Sequence, residues 1–188
     1  MIERYRLVKK LIKEVAHKFG GEVSFKAKPY LNRAGSALNV HVNLIDYNGN
    51  NLFYMYEKDC SSYLLHSIGG LCAMLKKHML YFAPNDNSYF RFRYPDINTP
   101  TTVSWGKNNR TAAIRIPDFN GDLAKCRLEH RVPGADSDLQ EVLLAIIKGV
   151  NFGLENKVTP PPRVYGVASD AQYKMDKLPL SMEDCKLL

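Results

Sequence analysis

Four arginines and one glutamate lie within a short stretch of the second half of this chain, and their spacing suits the binding of an anion. They are Arg110, Arg115, Arg127, Glu129 and Arg131. Extended backbone over residues 126–132 places Arg127, Glu129 and Arg131 on one face, because successive strand side chains point to opposite sides. Arginine is seldom buried without a partner. The pattern therefore indicates either a charged pocket for an anionic ligand or a structural ladder of ion pairs.

The segment 36–44 alternates apolar and polar residues without a break. Its apolar residues are predicted to pack on one face of a strand, whereas Asn39, His41 and Asn43 share the other face. A single strand histidine is more often structural than a ligand. Beside the arginines, however, this row offers ligands and hydrogen-bond donors to the same pocket.

Two further segments bring additional arginines. In residues 112–117 the alternate positions are apolar, so Arg115 is predicted to stand on the opposite, polar face. The segment 87–93 predicts another short strand, which contributes Arg91 and Arg93. Together these segments predict a sheet with arginines gathered on one side.

The composition fits one globular domain: the chain has 188 residues, of which 45% are hydrophobic. No apolar run approaches the roughly 20 residues of a membrane span, and no leader with a cleavage site opens the chain. We therefore expect a cytoplasmic protein that does not contact membranes. The four cysteines lack the close pairing of a zinc site or a redox dithiol, so we expect reduced thiols.

The net charge of +7 raises the alternative of a nucleic-acid-binding protein. The excess comes from lysines of the first helix, which we expect to form a solvated face, and from the arginines assigned to the pocket. Tyr89 and Tyr94 flank Arg91 and Arg93, but strand alternation places Phe90 in the core rather than on a binding surface. We therefore predict no nucleic-acid partner.

The predicted fold class is α+β, an antiparallel or mixed sheet backed by helices. The first helix carries an apolar stripe and ends at the Gly20-Gly21 pair. The Gly69-Gly70 pair within the second helix implies close packing against a neighbouring element. The remaining predicted elements are strands at 22–28, 36–45 and 51–56 and around Arg91, Val103, Ile114 and Arg127, helices at 61–81 and 139–155, a Pro-rich surface tail at 159–188 and a short helix near 181–184.

Several motifs, taken in order, carry a resemblance that covers nearly the whole chain. They are Gly35-Ser-Ala-Leu-Asn-Val-His41, Ile68-Gly-Gly70, Ala83-Pro-Asn-Asp-Asn-Ser-Tyr89, Trp105, Asn109-Arg-Thr-Ala-Ala-Ile-Arg-Ile-Pro117, Arg127-Leu-Glu-His-Arg131 and Glu155-Asn-Lys157. The sequence resembles the glutamine synthetase family. Trp105-Gly106 and the Pro160-Pro-Pro162 run look more like the relatives that join glutamate to organic amines.

The resemblance implies an ATP-dependent ligase that phosphorylates the glutamate γ-carboxylate. The γ-glutamyl group of the resulting γ-glutamyl phosphate then passes to ammonia or an amine, and phosphate leaves. Such phosphoryl transfer depends on positioning and on cations aimed at developing charge, which suits arginine. The family's substrate positions fall on Gly35, Arg91, Arg110 and Arg131, with Arg110 also near the transferred phosphoryl group as a catalytic residue. The nucleotide positions fall on His41, Asn43, Arg115 and Arg127, and a Mg²⁺ or Mn²⁺ ligand falls on Glu129.

Two positions depart from the family pattern. Two residues before His41 the family carries a metal-binding histidine, whereas this chain has Asn39, a neutral amide. In the loop 94–100 the family's general base is a glutamate, whereas this chain has Asn98. Asparagine cannot accept the proton, so base catalysis is predicted to be lost unless Asp96 substitutes.

The resemblance begins at the first helix, and the family's N-terminal domain and first metal-binding strands have no counterpart in residues 1–188. We therefore expect a partial catalytic domain that forms a homo-oligomer or associates with a missing N-terminal segment. Two functions stay open. One is a ligase that is active only with another polypeptide, and the other is a non-catalytic remnant or regulatory paralogue that binds anions, nucleotide or a full-length homologue.

Overall fold

A computed structural model describes residues 1–56 and 59–186. The helices are α1 (Ile2–Lys18), α2 (Ser62–Met74), α3 (Met79–Phe82), α4 (Asp86–Arg93), α5 (Leu139–Glu155) and α6 (Met182–Lys186). The strands are β1 (Val40–Val42), β2 (Met55–Tyr56), β3 (Asp59–Cys60), β4 (Trp105–Lys107), β5 (Ile114–Ile116) and β6 (Leu128–His130).

The main sheet has four strands in the order β1-β6-β5-β4. β6 pairs antiparallel with both β1 and β5, whereas β4 and β5 run parallel. In this register Glu129 lies directly opposite His41 on one side and opposite Arg115 on the other. The prediction of a mixed sheet backed by helices is confirmed, and so is the alternation that buries Ile114, Ile116 and Leu128.

Helices α2 and α5 cross in close contact through glycines. A Cβ atom at Gly70 would overlap the backbone of Gly149 and Gly153, and one at Gly153 would overlap the carbonyl of His66. The prediction of close packing at the Gly69-Gly70 pair is therefore confirmed. Beneath this crossing, both helices pack apolar side chains against the sheet.

α5 forms as the sequence predicts. The Asp138 carboxylate caps its first turn by accepting from the backbone N–H groups of Gln140 and Glu141. Val142, Ile146 and Val150 then recur at helical spacing on the buried face.

The prediction of a strand at 87–93 is wrong, because these residues form α4. Asn85 and Ser88 make a reciprocal capping box that starts a helix, and this local hydrogen bonding outweighs the strand preference of the aromatic residues that follow. Because residues two apart on a helix point in very different directions, Arg91 and Arg93 diverge. Arg91 is buried and Arg93 is exposed.

Four other predicted elements also differ in extent. No regular strand forms over 22–28, and the strand predicted at 36–45 is regular only over β1, with isolated bridges at Ala37 and Ile45. The strand predicted at 51–56 is regular only over β2, with an isolated bridge at Asn51. The predicted helix at 61–81 divides into α2 and α3. Residues 75–78 make irregular turns between these two helices.

α1 contacts the rest of the molecule through its charged face. Arg6 donates to the Asp138 carboxylate at 2.7 Å, and the Lys9 ammonium donates to the carbonyl of Ala135 at 2.5 Å. The expectation of a wholly solvated lysine face is therefore wrong at Lys9. The apolar stripe, including Leu11 and Val15, instead faces outward and is about half exposed.

The C-terminal segment crosses the surface but is anchored to the sheet. The Trp105 indole donates to the carbonyl of Pro161, and the Val164 amide donates to the carbonyl of Trp105. Val164, Ala168 and Leu178 are buried. Among the described residues, none of the helices is long and apolar enough to cross a membrane.

Candidate functional site

The centre of the candidate site is Glu129, which lies between two arginines on the polar face of the sheet. Arg115 donates through Nη1 to Glu129 Oε2 at 2.9 Å, and Arg131 donates through Nη1 to Glu129 Oε1 at 3.1 Å. All three side chains are largely buried, with 13%, 9% and 5% exposure for Arg115, Arg131 and Glu129. The sequence prediction that these residues share a face is confirmed.

Burial raises the pKa of Glu129, but the hydrogen bond from Arg115 and the charges of both arginines outweigh it. The net result is a pKa below the ordinary glutamate value, so Glu129 is ionised at neutral pH. Two guanidinium groups around one carboxylate leave an excess positive charge in the cluster. Such a site favours an additional anion.

The two buried arginines still have unused hydrogen-bond donors. The Nε atoms of Arg115 and Arg131 are buried and have no hydrogen-bond partner within the described part of the chain. A buried N–H without a partner costs about 1–3 kcal/mol. Neither Nε atom reaches the surface, so neither is open to a ligand in this arrangement, and the cluster acts on an anion through its charge.

Arg127 and His41 form the outer edge of the cluster. Arg127 donates through Nε to His41 Nδ1 at 3.1 Å and through Nη1 to the carbonyl of Lys125 at 2.9 Å. Burial lowers the pKa of His41, and the charges of Arg127, Arg115 and Arg131 lower it further against the opposing effect of Glu129. The imidazole is therefore neutral near pH 7 and can accept the bond from Arg127.

The neighbouring residues of β1 complete the polar row that alternation predicts. Asn39 and Asn43 are exposed on the same side of β1 as His41, while Val40 and Val42 are half-buried on the other side. Asn39 and Asn43 side chains make no hydrogen bond within residues 1–56 and 59–186. Both are therefore available to a ligand.

The loop 94–100 closes over the cluster through its backbone. Arg131 donates through Nη2 to the carbonyl of Asn98 at 3.1 Å, so the Asn98 carbonyl, rather than its side chain, is tied to the site. Asp96 accepts from the amides of Asn98 at 2.8 Å and Gly35 at 3.1 Å. Burial raises the pKa of Asp96, but these backbone bonds bring it below the ordinary value. Asp96 is therefore a weak base, suited to holding the loop.

Arg91 lies behind the site rather than in it. Its Nη1 donates to the carbonyls of Val132 and Pro133, and its Nη2 donates to the carbonyl of Arg131 at 2.8 Å. A Cβ atom at Gly35 would lie 2.9 Å from Arg91 Cγ, so this position requires glycine to fit against the arginine. In this structure Arg91 and Gly35 position the end of β6.

Arg110 lies in an adjoining open pocket of about 460 Å³, which Lys107, Asn108 and Tyr165 also line. Among the described residues Arg110 makes no hydrogen bond or ion pair, so its guanidinium is free to meet a ligand. Asn108 connects the two regions by accepting from Arg115 Nη2 at 2.7 Å. Sequence reasoning missed Asn108. The Asn-Asn pair before Arg110 signals a turn, which agrees with the left-handed backbone of Asn108 at φ 48°.

The residues present do not fit a divalent cation. Glu129 has both oxygens bonded to arginines, His41 Nε2 is 3.9 Å from Glu129 Oε1, and the remaining family position is the neutral Asn39. No group of three histidine, cysteine, aspartate or glutamate side chains suited to a metal occurs in residues 1–56 and 59–186. An anionic phosphate group, by contrast, fits the excess positive charge around Glu129 and the exposed guanidinium of Arg110.

Comparison with known proteins identifies the family. The family model for the glutamine synthetase catalytic domain matches residues 1–186. The chain belongs to the glutamine synthetase family. The gamma-glutamylputrescine synthetase PuuA of Escherichia coli K12 is 38% identical over 159 residues, which cover 85% of this chain and 33% of PuuA. The glutamate–isopropylamine ligase of a Pseudomonas species is 34% identical, covering 86% of this chain and 35% of that enzyme.

Solved structures agree with this glutamine synthetase assignment. The ligand-free structure of GmaS superposes with a TM-score of 0.81 at 28% identity, covering 98% of this chain and 42% of GmaS. The chain spans about a third of the length of the two curated relatives, PuuA and the glutamate–isopropylamine ligase. Within that third the glutamine synthetase fold is the one described above.

Proposed function

We propose that this chain supplies the anion-binding face of an ATP-dependent ligase, which joins the glutamate γ-carboxylate to ammonia or an amine through γ-glutamyl phosphate. The observation that carries this proposal is the exposed guanidinium of Arg110, unpaired among the described residues, beside the excess positive charge of Arg115 and Arg131 around Glu129. Every species on that reaction path is anionic, and bidentate guanidinium groups meet carboxylate and phosphate oxygens in pairs.

In this proposal the phosphates of ATP are bound by Arg115, Arg127, His41 and Asn43. Glutamate is bound by Arg131 and Arg110. Arg110 is unpaired and exposed, so it is placed to neutralise charge on the transferred phosphoryl group. Gly35 and Arg91 support the substrate side by fixing the end of β6 and the adjoining loop. ATP and glutamate are intracellular metabolites, and we place the protein in the cytoplasm accordingly.

We further propose that the acceptor is an organic amine. The names of the relatives PuuA and glutamate–isopropylamine ligase point to putrescine and isopropylamine as their acceptors. The glutamine synthetase of Pyrococcus woesei matches at 34% identity, below PuuA at 38% and equal to the glutamate–isopropylamine ligase, which keeps ammonia as the alternative acceptor.

The isolated chain is proposed to be inactive. Asn98 cannot accept a proton, and the carboxylate of Asp96 is occupied by backbone amides. Glu129 is bonded to two arginines and does not fit a Mg²⁺ or Mn²⁺ site by itself. Activity would require acidic groups from another polypeptide, in a homo-oligomer or in association with a further segment.

A second candidate function is a non-catalytic paralogue that binds nucleotide or another anion, or a full-length homologue. Asn39 and Asn98 favour it, because each replaces a chemically active side chain by a neutral amide. Both candidates retain the anion-binding face, so a binding experiment tests what they share.

Calorimetric titration of the purified chain with ATP tests the shared claim. Arg127→Gln removes a charge from the outer edge of the site, so ATP affinity should fall about tenfold, the worth of one charge-assisted hydrogen bond. Arg4→Gln, an exposed arginine on α1, makes the same charge change elsewhere and should leave the affinity unchanged. Equal losses in both variants would show non-specific charge attraction instead.

Turnover separates the two candidates. Glutamate-dependent phosphate release should be absent from the chain alone, and its detection would refute the claim of inactivity. Release that appears only after mixing with an N-terminal segment of a homologous ligase would favour the ligase. Nucleotide binding without release in any mixture would favour the non-catalytic paralogue.

A further inference from the structure

Arg93 lies outside the site described above and faces a different cleft. This cleft has a volume of about 450 Å³ and lies between the C-terminal end of α4 and the segment 168–180. Apolar side chains with open surface line it: Leu180 is 43% exposed, Pro95 is exposed and Met175 is half-buried. The cleft therefore offers apolar surface to a ligand.

The guanidinium of Arg93 is held in place with its outer edge free. Its Nε donates to the carbonyl of Leu180 at 2.7 Å, and its Cζ lies 5.5 Å from the centre of the Phe90 ring. Within the described part of the chain its two Nη atoms make no hydrogen bond. An arginine that is already oriented loses little side-chain entropy when those two nitrogens meet a carboxylate or phosphate.

The charges around the cleft have one predominant sign. Lys174 and Lys177 line it together with Arg93, whereas Asp170 is the carboxylate among the lining residues. Neither lysine side chain makes a hydrogen bond or ion pair within residues 1–56 and 59–186. A backbone hydrogen bond and the charge of Arg93 both help to hold the pKa of Asp184, just outside the lining, below the ordinary aspartate value. Three cations against two carboxylates still leave a positive excess that attracts an anion.

We propose that this cleft is a second binding site, for a small organic anion that carries a carboxylate or phosphate group on an apolar body. The anionic group pairs with the free edge of Arg93 between Lys174 and Lys177, and the apolar body covers Met175 and Leu180. The proposal does not depend on the function of the Glu129 cluster.

Phenyl phosphate is a suitable probe, because it combines a phosphate with a ring of matching size. Titration followed by ¹H–¹⁵N NMR should move the amide signals of residues 168–180 and the Arg93 Nε signal together. Inorganic phosphate at the same ionic strength should bind at least tenfold more weakly there, because it cannot cover the apolar walls. Equal affinity for the two probes would overturn the proposed ligand class.

Arg93→Gln should weaken phenyl phosphate binding about tenfold, and Arg4→Gln should not. Because Arg93→Gln also removes the bond to Leu180, Lys177→Gln provides a second variant, at a side chain without a hydrogen bond or ion pair among the described residues, with an expected loss of about threefold. Shifts confined to residues around Glu129 and Arg110, or affinity unchanged in both cleft variants, would overturn the proposal.

Discussion

Glu129 has two roles at the scale of single residues: it neutralises part of the charge of Arg115 and Arg131, and it occupies donors that an anionic ligand would otherwise use. Its replacement changes both at once. The alternation of charges in 127–131 predicted the shared face, but it could not distinguish a ladder from a pocket. That distinction depends on the exposed guanidinium of Arg110, whose position follows from the turn at Asn108.

Glu129→Gln should destabilise the fold and tighten anion binding. Removing one partner from a buried ion pair typically costs about 3–5 kcal/mol, since it leaves uncompensated charge. Urea denaturation should show a loss of this order, and added phosphate should restore part of it by binding the released arginines. A variant as stable as the parent, and insensitive to phosphate, would contradict this account of the cluster.

His130 lies on the buried face of β6 and has no hydrogen-bond partner for either ring nitrogen within the described residues. Burial lowers its pKa to about 3, with a smaller contribution from His78. The unfolded chain binds a proton at the ordinary histidine pKa of about 6.5, whereas the native state does not. The proton linkage of His130 therefore leaves the free energy of unfolding unchanged above about pH 6.5 and lowers it as the pH falls below that value.

His130→Leu should stabilise the protein, since it removes buried polar atoms that lack partners, by about 1–3 kcal/mol. The difference from the parent should widen between pH 7 and pH 4, because only the parent has this proton linkage. Chemical denaturation at the two pH values measures both effects. A pH-independent difference would show that the histidine is solvated or paired.

At the scale of elements, the crossing of α2 and α5 fixes the position of the sheet. Gly70→Ala should destabilise the fold by about 3 kcal/mol or more, because the new Cβ meets backbone that cannot move locally. Gly21→Ala is the matched control: its Cβ would meet the Ala16 carbonyl at 3.5 Å, an ordinary contact, so stability should change little. Thermal unfolding of both variants tests the comparison.

Elements with strong local signals were predictable, and α5 with its Asp138 cap and apolar spacing is the clearest case. α4 was not, because its aromatic residues favour a strand while the deciding signal is the reciprocal bonding of Asn85 and Ser88. Capping at that point changes the direction of Arg91 and Arg93. The sequence consequently placed both arginines in one pocket, whereas the helix sends Arg93 to another cleft.

At the scale of the whole molecule, two surfaces remain without partners in the described structure. β1 is an edge strand of the main sheet, and the apolar stripe of α1, with Leu11 and Val15 about half exposed, faces outward. An unpaired sheet edge and a contiguous apolar face both favour association. The amphipathic pattern predicted the stripe, but its exposure follows from the bonds of Arg6 and Lys9 to the molecule's body.

The isolated chain should self-associate at micromolar concentration in sedimentation velocity experiments. Leu11→Glu combined with Val15→Glu should shift the population toward monomer, because it places charge within the apolar stripe. Lys10→Ala lowers the net charge outside the stripe and should leave the proportion of monomer unchanged. A parent chain that sediments as a uniform monomer would contradict the prediction.

The most direct test of the central claim follows the arginine side chains themselves during ATP binding. In ¹H–¹⁵N NMR spectra, the Nε–H signal of Arg110 should move downfield as ATP is added, because its guanidinium has no partner among the described residues and gains phosphate oxygens. The Nε–H signal of Arg4 should stay in place. ATP binding that leaves the Arg110 signal unchanged would contradict the assignment of this region as the anion-binding face.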